Sequence, residues 1–136
     1  MATALIQKID YLHDSKVYEI SLLINESGDR QLRIDLRCDS ECGYDPWNDK
    51  NLCLTFVDPI IVYCELFGHM ANRETFSGWS LEVSPKLLAG IKVHTDAGLN
   101  SPKHTVSLSF HSGSIIEVAC QDITIDARNN TGSPTN

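Results

Sequence analysis

The sequence predicts a mainly β protein: an antiparallel β-sandwich or rolled sheet of seven or eight strands, with one short helix near residues 85–89. Three observations carry this. Apolar and polar residues alternate along several short runs, which is the period of a strand with one buried and one wet face. Clusters of Gly, Pro, Asn, Asp and Ser separate the runs, as expected for tight turns between antiparallel strands. Only one stretch, Ser84-Pro85-Lys86-Leu87-Leu88-Ala89-Gly90, carries helix punctuation. A half-open barrel is the other arrangement these strands allow.

Taken in order, Leu5, Ile6, Ile9 and Leu12 are spaced like one face of a helical turn, or an irregular strand. After the polar turn His13-Asp14-Ser15, residues Lys16 to Ile24 form a strand with Tyr18, Ile20, Leu22 and Ile24 on one face. Val17 and Leu23 make its second face partly apolar, which places it inside the sheet and away from an edge. Asn25 to Asp29 make a turn in which Gly28 takes a positive φ, and the chain returns as Leu32, Ile34, Leu36 and Cys38 alternating with Arg33, Asp35 and Arg37. Leu52, Leu54 and Phe56 repeat the alternation, and Val57-Asp58-Pro59 turn a corner at which Pro59 begins the next strand.

Ile60 to Phe67, rich in β-branched and aromatic residues, is a further strand. A polar excursion from Gly68 to Gly78 leads to a strand through Trp79, Leu81 and Val83. Ser84 caps a helix of one or two turns, Pro85 suits its first position, and Gly90 closes it; His94 to Lys103 is a surface loop. Thr105 to Phe110 and Ser114 to Cys120 form a closing hairpin, and a bulge at Cys120-Gln121-Asp122 brings Ile123 and Ile125 onto its apolar face. The domain is expected to span 1–126, with 127–136 a flexible tail.

With 136 residues the chain suits one domain that folds without a metal or disulfide staple. Eighteen acidic residues against eleven basic give a formal charge of −7, a field that repels nucleic acid and anionic membranes and attracts basic proteins. No run is apolar enough for a membrane span and the N-terminus has no secretory pattern, so a cytoplasmic setting is expected. Five cysteines, most of them in apolar runs, then read as reduced, buried thiols.

The candidate site is the loop between the two clearest strands. It holds Asp39, Glu41, Tyr44, Asp45, Trp47 and Asp49 and contains no Lys or Arg before Lys50. In one reading the four carboxylates meet a basic partner while Tyr44 and Trp47 act as aromatic anchors, with Glu65 to Glu74 as a second acidic stretch. In another, the rings fold back over the core and the loop is simply solvated. Neither metal nor cofactor is expected. Asp45-x-x-x-Asp49 lacks the alternate spacing of a calcium loop, and Cys38 and Cys42 have no partner pair at zinc spacing. His13 and Asp14, being adjacent, face opposite sides of a strand unless the backbone is unusual, and His111-Ser112-Gly113-Ser114 is no nucleophile elbow. A catalytic site is therefore not expected, although one dispersed over distant strands would leave no local trace.

Three features, His13-Asp14-Ser15 before the first strand, Leu52 to Phe56 after the loop, and Gly113 to Cys120 with Ile123 and Ile125, together resemble small β-rich immunity proteins of bacterial toxin and contact-inhibition systems, and related uncharacterised bacterial domains. The resemblance implies a non-enzymatic protein that neutralises a cognate toxin by blocking a basic, nuclease-like surface. It assigns no residues, because contacts in such pairs differ from one to the next. The alternative is a β-sandwich that binds a small ligand or carbohydrate, stacked on Tyr44 or Trp47.

Overall fold

The computed structural model describes residues 9–24, 26–38, 44–65 and 74–128. They form a mainly β protein in which eight antiparallel strands follow the order β4-β7-β6-β5-β1-β2-β3-β8. The strands are β1 (Lys16–Ile24), β2 (Arg30–Arg37), β3 (Asn51–Val57), β4 (Ile61–Glu65), β5 (Glu74–Ser80), β6 (His104–Phe110), β7 (Ile115–Cys120) and β8 (Asp122–Arg128), with one helix, α1 (Pro85–Asp96).

The sheet is rolled at β5. Its first residues pair with β1 (Lys16 with Thr75, Val17 with Glu74), whereas Phe76 to Ser80 pair with β6. Two layers therefore face each other across one core. Leu32, Ile34, Leu36, Leu52, Leu54, Phe56 and Ile123 come from one layer; Phe76, Val106, Leu108, Phe110, Ile116, Val118 and Cys120 come from the other. Each is nearly inaccessible to water, and burying such a side chain contributes about 1.5–3 kcal/mol before entropy is charged against it.

The β2–β3 pair follows the sequence pattern, with Leu32 opposite Phe56, Ile34 opposite Leu54 and Leu36 opposite Leu52. The β6–β7 hairpin does so too, pairing Val106 with Val118 and Leu108 with Ile116. Several expectations are corrected. The placement of β1 is not among them: it lies inside the sheet, with β2 along one side and β5 bonded to Lys16 and Val17 on the other. The strand expected at Trp79, Leu81 and Val83 begins earlier, at Glu74, and ends at Ser80; Leu81 is 54% exposed. The helix extends past Gly90 to Asp96, because Gly90 is tolerated inside it while Ile91 and His94 continue its inward face.

No bulge keeps β7 and β8 together. At Gln121, whose N–H donates to Val57 O at 3.0 Å, the chain leaves β7 and β8 pairs with β3 along its whole length. That pairing also carries Ala127 and Arg128, so the domain runs two residues past 126. At the N-terminal side Ile9–Leu12 is a 3-10 turn with Ile9 and Leu12 fully buried; Leu5 and Ile6 lie outside the described residues.

One polar contact fixes α1 to the sheet. Glu117, on β7 and 5% exposed, accepts from Ser84 N (3.1 Å to each oxygen) and from Ser84 Oγ (2.5 Å). Ser84 Oγ in turn accepts from Leu87 N at 3.3 Å, as an N-cap does. A buried carboxylate thus has its charge met by the donors at the start of the helix.

Candidate functional site

Between β2 and β3, residues Asp45–Trp47 form a 3-10 turn with Pro46 at its start, where no amide donor is needed. Asn48 N donates to Asp45 O, Lys50 N to Trp47 O, and Cys38 N to Lys50 O, so the loop is closed by its own backbone. Its rings point inward. Trp47 is 6% exposed and belongs to the core, and Tyr44 packs against that core. Tyr44 meets Trp47 edge to face at 4.9 Å and stacks on Tyr11 at 5.5 Å.

The outward-facing anchors expected from Tyr44 and Trp47 are thereby corrected. The aromatic rings carry more apolar area than the loop can leave wet, and the 3-10 turn over Ile9–Leu12 supplies Tyr11 as the outer neighbour of Tyr44. With one face of Tyr44 on Tyr11 and Trp47 in the core, these rings do not form the open platform that a stacked sugar requires. Their role is to brace the loop.

Asp45 and Asp49 point the other way. Asp45 is exposed and its Oδ1 accepts from Asn48 Nδ2 at 3.2 Å. Asp49 takes a left-handed backbone, φ 61°, and its Oδ1 lies 2.7 Å from Arg37 Nη2. With Asp49 two-thirds exposed, that pair contributes little stability and partly neutralises the loop's field. Asp39, Glu41 and the residues between Glu65 and Glu74 lie outside the described residues.

Two further groupings were not legible in the sequence. Asp14 has φ 67°, the unusual backbone that lets its carboxylate reach its neighbour: His13 Nδ1 is 3.0 Å from Oδ2, and His111 Nε2 is 3.3 Å from Oδ1. The cluster sits at the β5 seam, where Asp14 N donates to Phe76 O and His111 N to Thr75 O. Among the described residues no three His, Cys, Asp or Glu side chains are grouped to hold a metal ion.

The second grouping is on the outer face of the sheet. Gln31, Arg33, Cys53, Thr55, Val57, Thr124 and Asp126 line a shallow depression of about 410 Å³. Arg33 Nε donates to Cys53 Sγ at 3.2 Å, which raises the guanidinium's already high pKa, while burial opposes the shift. Cys53 is 3% exposed, and Cys38, Cys53 and Cys120 are buried thiols outside any disulfide. Burial pushes the Cys120 thiol up to about 12, leaving it inert at neutral pH.

No family model, curated protein or solved structure matches this chain. Among the described residues, no helix is long and apolar enough to cross a membrane.

Proposed function

We propose that this protein is a non-enzymatic acidic binding protein of the immunity type, which uses the loop from Asp39 to Asp49 to block a basic partner such as a toxin domain. The observation that supports this most is the braced turn over 44–49. Buried Trp47 and the Tyr11–Tyr44 stack hold a carboxylate-bearing turn in one shape, with Asp45 presented to solvent. A turn ordered before the partner arrives loses little entropy on binding, so more of the interaction free energy appears as affinity. The formal charge of −7 adds long-range attraction for a cationic surface.

Affinity in this reading comes from charge placed by a rigid frame, not from exposed aromatic anchors. Association therefore weakens with ionic strength. Capture of partners from the native host at low and high salt tests the proposal. Recovery of a basic protein that is lost at high salt supports it, and recovery of no basic protein at low salt refutes it.

A further inference from the structure

We infer that Arg37 is an internal competitor for the acidic turn: its guanidinium occupies on Asp49 the place that a partner's cation takes, and so decides which basic surfaces the turn accepts. The inference rests on the basic-partner reading and adds the residue that governs its selectivity.

Arg37 is placed by the sheet. It ends β2 opposite Asn51 in the β2–β3 ladder, and side chains that face each other across such a pair are neighbours. Its planar fork spans two acceptors: Nη1 donates to Asn51 Oδ1 at 3.2 Å, and Nη2 donates to Asp49 Oδ1 at 2.7 Å. Asp49 comes within reach through its left-handed backbone, φ 61°, a conformation that Asp visits more readily than most residues. The turn is thus bent so that this carboxylate meets the chain's own cation.

The two carboxylates at the described turn are therefore unequal. Asp45 Oδ1 accepts from the neutral amide of Asn48, which offsets none of its charge, whereas Asp49 shares its charge with a guanidinium. The Arg37 side chain is 35% exposed and that of Asp49 67%, so the pair is open to water and an incoming cation can part it at small cost. Displacement leaves Arg37 without its anionic acceptor. A uniformly cationic surface offers nothing in exchange and is repelled by the released guanidinium; a surface that sets an acceptor beside its cation satisfies both. Specificity of this kind comes from a penalty built in against the wrong surface.

A hexa-arginine peptide is the uniformly cationic probe. Titrating it into the full chain at low ionic strength, with amide NMR shifts followed over residues 44–51, reads binding at the turn and the integrity of the fold together. Arg37→Gln should tighten binding about two- to fivefold, the factor an exposed ion pair is worth. Lys92→Gln removes the cation of the exposed Lys92–Asp96 pair on α1 and changes the net charge equally; it should give a clearly smaller gain. Asp49→Asn should weaken binding at least about twofold more in the Arg37→Gln background than in wild type, because only there is the carboxylate released from its competitor. No tightening by Arg37→Gln, a gain matched by Lys92→Gln, or an equal effect of Asp49→Asn in both backgrounds overturns the inference. Each of these results leaves the basic-partner reading standing, since that is decided by capture from the native host and by Asp45→Lys.

Discussion

Replacing Trp47 by alanine separates a bracing role from an anchoring one. The indole is 6% exposed and takes part in the core, so its removal leaves a large void beneath the loop. Truncating a buried Phe or Trp to Ala costs about 3–5 kcal/mol. Of this, about 0.5–1.5 kcal/mol is the lost edge contact with Tyr44, which sits 4.9 Å away. Against a total stability of about 5–15 kcal/mol, such a loss moves the unfolding midpoint far outside error. Urea unfolding followed by circular dichroism measures it, with Trp79 as the remaining fluorophore. A change within about 0.5 kcal/mol would mean the ring stands in solvent, and would return it to the role of a partner anchor.

Three further outcomes follow from named contacts. Glu117→Gln removes the charge that accepts from Ser84 N and Oγ and should cost about 1.5–3 kcal/mol; with Ser84→Ala it should be non-additive by more than about 0.5 kcal/mol in a double-mutant cycle of urea unfolding, and simple additivity would show that the two are not linked. The Cys120 thiol, raised to about 12 from 9.0, keeps its proton in the folded state after the unfolded chain has lost it, so its contribution is complete below pH 9 and falls as pH rises from 9 to 12. The slope from this one group is up to about 1.4 kcal/mol per pH unit, and Cys120→Ala should flatten the alkaline limb of a stability profile; an unchanged limb would assign the loss elsewhere. Asp45→Lys, at an exposed position, should leave stability within about 0.5 kcal/mol while weakening low-salt capture of the basic partner at least about tenfold.

Strands whose neighbours in sequence are also neighbours in the sheet were readable. Leu32-x-Ile34-x-Leu36 and Leu52-x-Leu54-x-Phe56 state both their faces and their register, because each apolar residue meets another across one ladder. Alternation in β1 states equally clearly that Ile20, Leu22 and Ile24 share a face, but not how far it is covered; Leu22 is 63% and Ile24 69% exposed. At Cys120-Gln121-Asp122 the pattern shows a phase change, which a bulge and a change of partner strand produce alike; the Gln121–Val57 bond decides for the second.

The loop was legible in content and not in direction. Its carboxylates and rings are visible in the sequence, but the packing of Tyr44 depends on Tyr11, which lies more than thirty positions earlier and joins the stack only after folding. Asp14 went unrecognised for a related reason. Its left-handed backbone is set by bonds to β5, and His111, its second partner, arrives from the far hairpin.

The central claim is that a braced acidic turn docks on a cationic protein. Capture from the native host with wild type and Asp45→Lys side by side, at low and high ionic strength, tests it most directly. The account predicts one basic protein retained by wild type at low salt, released at high salt, and poorly retained by the variant. Equal retention by both proteins, or no basic protein with either, would contradict it.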